Sequence, residues 1–241
     1  RLTGVLDWEL AHFGDRHEDL AFGCMAVWRF ARYDRPALGL GSLEDYFAAY
    51  EAESGFAIDR ERFRYWTIYR TVWWALGCLR SAKAWRDGAD RMLERVVISR
   101  RTSEQELDLL MLLEEEAPEA ERARRVELYS HPRRKAGEAA IHDLAAAIAE
   151  WLHTIKGSVQ GHDRFQLAVA RNALGIIGRD DLHGSWQANF NSQATDGIFE
   201  GGLNLSTEDH LFLAKLYILE KVSVDSPKYP ALAVARERWL K

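Results

Sequence analysis

Three carboxylates in the segment TGVLDWELAHFGDRHEDLAF, residues 3–22, have the type and spacing to do chemistry. Asp7 ends a short run from Leu2 to Trp8, with Val5 and Leu6 as its apolar centre and polar residues after it. That pattern predicts a strand delivering a carboxylate to the start of a loop. Held there with little conformational freedom, an acid can grip a hard cation such as Mg²⁺, which takes oxygen ligands. Asp15 and Asp19 follow at intervals of eight and four residues, entering a helix. Acids at a helix N-terminus are stabilised by its free backbone N–H groups and its dipole. Spacing alone reads Asp15 and Asp19 as helix caps and leaves Asp7 a candidate metal ligand.

Other reactive side chains are less well placed. His142 and His153 lie eleven residues apart, about three helical turns, with no third ligand at a metal spacing. They read as surface or interface histidines, and His12 and His17 as exposed ones. Asn172, in ARNALG, either bonds a ligand or sits as a buried amide fixing a helix contact. Trp28, Trp66, Tyr69 and Trp73 either pack a core or line a pocket. Cys24 and Cys78 cannot build a disulfide framework, and their apolar helical surroundings read as reduced core thiols of a cytoplasmic protein. No Ser/His/Asp or Cys/His spacing supports nucleophilic catalysis.

The elements that must position these groups are almost all helical. Asp19 to Tyr33 is apolar on several sides. Ser42 caps LEDYFAAYEAE, and Asp59 caps the long run RERFRYWTIYRTVWWALGCLRSAKAWR. In that run Phe63, Trp66, Tyr69, Trp73 and Leu76 form one stripe, and Trp74, Cys78 and Trp85 another, as in a helix with partners on two sides. Ser103 and Glu106 suggest a capping box for LDLLMLLEEE. Further on, Ile141, Leu144, Ile148, Leu152 and Ile155 share a face of one helix, and Phe165, Val169, Ala173 and Ile176 of the next. Residues 181–205 read as an irregular connection, after which Ser206 caps EDHLFLAKLYILEKV and a last short helix follows DSPKYP.

The composition is that of a globular chain: 241 residues, 47% hydrophobic and 29% charged, with a net charge of −5. Mild acidity argues against a nucleic-acid partner, and no apolar run approaches the roughly 20 residues that span a bilayer. Residues 1–116 hold 16 basic and 21 acidic side chains and so the whole net charge, with six of the nine tryptophans. Between the halves, EEEAPEAERARRVELYSHPRRKAGE alternates charge around Pro118 and Pro132 and reads as a solvated linker. The expected organisation is therefore 1–116, a linker over 117–136, and a helical part over 137–241. The apolar helices of that last part make a homodimer plausible. The chain begins Arg1-Leu2-Thr3 with neither an initiator Met nor a leader, and is read as a fragment.

The run GVLDWELAHFGDRHEDLA resembles the second conserved block of the aminoglycoside phosphotransferase and choline-kinase-like family. There an apolar strand leads into Asp-Trp-Glu, a short spacer, Gly-Asp-Pro and then Asp-Leu-Ala. Here the same elements stand as Asp7-Trp8-Glu9, Gly14-Asp15-Arg16 and Asp19-Leu20-Ala21, with Arg16 in place of the proline. The resemblance implies a mainly α fold: a protein-kinase-like C-terminal lobe with one short β element, followed by a small all-α accessory domain. It implies that Asp7 holds Mg²⁺ on the phosphates of ATP and that Glu9, Asp15 and Asp19 support the loop and helix. It also implies a candidate acceptor pocket at Trp28, Trp66, Tyr69 and Trp73, since that family takes its hydroxyl-bearing acceptor on this lobe. Residues 165–180 and 215–232 are similar to a helical domain of unknown function found appended to such phosphotransferases.

The same resemblance requires a nucleotide-binding N-lobe with a phosphate-contacting Lys, and a His-Gly-Asp catalytic loop just before the Asp7 strand. Neither is among these residues; His183 opens an HGSW that lacks the Asp. The expectation is a piece of an ATP- and Mg²⁺-dependent small-molecule phosphotransferase, with no catalytic residue of its own and inactive alone. Two other readings stay open: a non-catalytic helical scaffold or dimerisation module, and an acyl- or CoA-type binding module derived from a kinase lobe.

Overall fold

Asp15 starts the first helix, α1 (Arg16–Cys24), by accepting the His17 amide on its side chain. Ser42 does the same for α2 (Leu43–Ser54), taking the Asp45 amide at 3.1 Å. Asp59 starts α3 (Arg60–Arg86), its Oδ1 accepting from Glu61 and Arg62 at 3.0 and 3.1 Å. Each satisfies amides that have no partner inside the helix. The structure is a computed structural model, and it describes residues 3–4, 8–29, 32–128, 137–183 and 209–241. The expected strand falls largely outside these; Trp8–Leu10 form a 3₁₀ turn. The expected helix over residues 19–33 divides into α1 and a second 3₁₀ turn, Ala26–Arg29. Residues 181–183 belong to a helix, and the rest of the 181–205 connection and the Ser206 cap lie outside the described residues.

The chain divides into two compact units, Arg1–Arg70 and Thr71–Lys241. In the first, Leu20, Ala21 and Cys24 of α1 pack with Phe47 of α2 and Phe63 of α3, and Tyr46, Ile58 and Trp66 close over them. Phe47 and Phe63 meet edge to face, 4.8 Å between centroids. Beside this core Arg70 pairs with Glu18 at 3.0 Å, both side chains nearly buried.

The second unit adds α4 (Leu93–Arg100), α5 (Thr102–Leu113), α6 (Glu119–Ala123), α7 (Ile141–Thr154), α8 (Gly161–His183), α9 (His210–Asp225) and α10 (Pro230–Trp239). α5 packs against α9 and α10, α4 against α8, and α7 against α8. Among the described residues there is no sheet, only isolated bridges at Ala37–Gly41 and Val126–Leu240. The protein is mainly helical. None of its described helices is long and apolar enough to cross a membrane.

Four points of the sequence reading are corrected or refined here. Ser103 does not cap α5: the backbone stays helical through Arg101, so Ser103 lies within the turn and donates its hydroxyl back to the Arg100 carbonyl. Residues 117–128, within the expected linker, are mostly exposed but anchored at two points. Val126 is fully buried with its amide on the Trp239 carbonyl at 2.8 Å, and the buried Lys215 donates to the carbonyls of Arg122 (2.8 Å), Arg124 and Glu121. Ile141, Leu144 and Ile148 of α7 are about half exposed, because α7 meets α8 through small residues on another face, where Ala145 lies beside Gly178. Asn172 is exposed rather than a buried amide. The two thiols are as expected, free and buried, and burial pushes Cys78 up to about 11.

Candidate functional site

The start of α1 is organised by one imidazole. His17, 5% exposed, lies between the caps of α1 and α3. Its Nε2 accepts the Asp59 amide at 3.0 Å, so the ring's proton sits on Nδ1, which donates to Asp15 Oδ1 at 2.7 Å. The same Oδ1 accepts the His17 amide at 2.9 Å, while Asp15 Oδ2 faces Arg62 Nη1 at 3.4 Å. The His17 amide first, and the His17 ring second, hold the Asp15 carboxyl down at about 2. Expected as an exposed histidine, His17 is instead the link between two helix starts. His12 is the exposed one, and its Nε2 reaches Glu18 at 3.1 Å.

A cavity of about 490 Å³ opens beside this link, lined by Gly14, Asp15, Arg16, His17, Phe56, Ala57 and Arg62. The Arg16 guanidinium lies over the Phe56 ring, 3.8 Å from its centroid. The loop carrying Phe56 follows α2, whose end is turned by Gly55 at φ 72°, a conformation that glycine adopts without strain.

Of the residues expected to act, Asp7 lies outside the described residues. Glu9 sits within the Trp8–Leu10 turn. Asp15 is the α1 cap, with both carboxylate oxygens engaged. Asp19 is in the first turn of α1 and exposed. Trp66 packs edge-on to Tyr69 at 5.3 Å and against the core. Trp28 meets Phe22 at 5.8 Å, and Trp73 belongs to the second unit beside Trp74. None of these four aromatics lines the cavity. Phe56 and Arg62, which do, carried no sequence signal, and His17 could have been read only from its place two residues after a capping Asp.

Among the described residues no group of three or more His, Cys, Asp or Glu could hold a metal ion. A protein-built metal cage is thus absent from that part of the chain. Mg²⁺ at phosphates needs less, one or two carboxylates with the phosphate oxygens and water.

Residues 1–65 match the family model of the phosphotransferase enzyme family, which supports the resemblance of that segment to the aminoglycoside phosphotransferases. No curated protein and no solved structure matches the chain.

Proposed function

We propose that these residues are part of an ATP- and Mg²⁺-dependent phosphotransferase that moves a phosphoryl group to a hydroxyl of a small molecule. The observation that carries this reading is the family match over residues 1–65, which includes the Asp7-Trp8-Glu9, Gly14-Asp15 and Asp19-Leu20-Ala21 block.

Asp7 would hold Mg²⁺; when bound, the ion neutralises charge on the phosphates of ATP. Asp15 and His17 do a different job. Their bonds fix the start of α1 and tie it to the start of α3, so the chain following Asp7 is anchored a few residues downstream. Asp19, exposed in the first turn, favours the helix through its dipole. Catalysis in this reaction class comes chiefly from positioning and electrostatics, and a rigid helix start eight residues after Asp7 in the sequence contributes to positioning. The nucleotide-binding lobe and the catalytic Asp that orients the acceptor hydroxyl belong, in this reading, to the intact enzyme and not to these 241 residues.

In the full-length enzyme, Asp7→Ala abolishes Mg²⁺-dependent consumption of ATP against a panel of hydroxylated acceptors, with the far-ultraviolet circular dichroism unchanged. Undiminished turnover in that variant removes the reading.

A further inference from the structure

The cavity beside the two helix caps has a wall chemistry that phosphoryl transfer does not use. Arg16 makes no ion pair with any carboxylate among the described residues; its guanidinium carbon instead lies over the Phe56 ring, 3.8 Å from the centroid. A cation–π contact of this kind uses none of the guanidinium's N–H groups as donors to an acceptor oxygen, so they stay available to an anion. It also reduces the side-chain freedom that binding would otherwise remove. Arg62, the second guanidinium, is 64% exposed and is held only loosely, at 3.4 Å from Asp15 and 3.8 Å from Asp59. Distances of that length are poor hydrogen bonds and are readily exchanged.

The carboxylate in the wall is already engaged. Asp15 Oδ1 takes two N–H donors from His17, and His17, accepting at Nε2, brings no charge while so bonded. Two cations against one anion leave the lining positive. Its volume, about 490 Å³, is that of a small-molecule pocket rather than of a bare ion site. A planar carboxylate saturates one guanidinium fork, whereas a tetrahedral phosphate with three terminal oxygens can serve two guanidiniums at once.

We propose that this cavity binds a small organic phosphomonoester, with Arg16 and Arg62 as its anion ligands and Phe56 as the platform that orients Arg16. Position 16 is Arg here, where the block it resembles carries proline. The proposal stands independently of the phosphotransfer reading: it needs neither Asp7, nor Mg²⁺, nor turnover.

The test is calorimetric titration of the 241-residue chain with phenyl phosphate, inorganic phosphate, benzoate and phenol. The proposal expects saturable binding of phenyl phosphate that is weakened by added salt, weaker binding of inorganic phosphate and benzoate, and none of phenol. Arg16→Pro and Arg62→Gln should each weaken phenyl phosphate by about tenfold or more, the loss of one charge-assisted contact. Arg60→Gln, an exposed cation of α3 outside the cavity, should leave the affinity unchanged. Proline is tolerated in the first turn of a helix, and Arg16→Gln gives the same readout should Arg16→Pro alter the circular dichroism. Absence of binding at about 10 mM phenyl phosphate, or affinity unchanged in the Arg16 variants, overturns the site. Benzoate binding as tightly as phenyl phosphate overturns the ligand class.

Discussion

His17 serves two helices with one ring, and that is where single substitutions should be most informative. Removing it leaves the Asp59 amide without its acceptor and takes one donor from Asp15. His17→Ala should therefore lower the unfolding free energy by about 2 kcal/mol, measured by urea titration. The acid limb of stability gives a second test. Asp15 titrates at about 2 in the folded protein against 3.8 ordinarily. A depressed carboxyl adds stability that is complete above the unfolded value and lost as pH falls through the folded one. The stability gap between wild type and Asp15→Asn should be constant above pH 5 and shrink steadily from about pH 4 to pH 2. A gap that widens on acidification would contradict the bonding described for Asp15. At this scale the sequence was readable where the rule is local. A capping Asp ahead of a helix announces itself. The acceptor role of His17 Nε2 depends on an amide 42 residues away, and nothing in the neighbourhood of His17 encodes that.

Helices rather than side chains decide the second unit. Leu219 of α9 is fully buried, so Leu219→Ala should cost about 2–5 kcal/mol, whereas Ile148→Ser on the exposed face of α7 should cost less than about 0.5 kcal/mol. Both are read from denaturant midpoints. Gln105 of α5 is wholly enclosed with neither amide atom hydrogen-bonded, and Gln105→Met, of similar length, should raise stability by roughly 1 kcal/mol. A fall in melting temperature for that variant would mean that the amide has a partner after all. Ser42 and Asp59 were legible as caps because capping is set within three residues. The anchoring of residues 117–128 through Val126 and Lys215 was not. Their charges satisfy the composition of a linker, yet the three carbonyls that bond Lys215 are backbone groups that no sequence pattern displays. The apolar period of α7 was read correctly as a helix, but a period cannot say which face the partner meets. There the small pair Ala145 and Gly178 allowed close approach on another side.

For the whole molecule, charge and composition suggested a division around residues 116–136, while the compact units are Arg1–Arg70 and Thr71–Lys241. Composition reports surface, and compact units are defined by packing: α5, from the expected first part, packs against α9 of the expected last part. The resemblance to that family was legible from a single block because three short elements at fixed spacing carry it, and the match over residues 1–65 contains that block. The cavity with Arg16 and Phe56 was not legible, since its walls come from stretches some 40 residues apart. The central proposal is that the Asp7 carboxylate holds a metal ion, and exchanging its ligand chemistry tests it most directly. In the full-length enzyme Asp7→Cys should lose at least about a thousandfold in kcat with Mg²⁺, which avoids thiolate, and recover part of it with Cd²⁺, which prefers it. Full turnover of Asp7→Cys with Mg²⁺ would contradict the account.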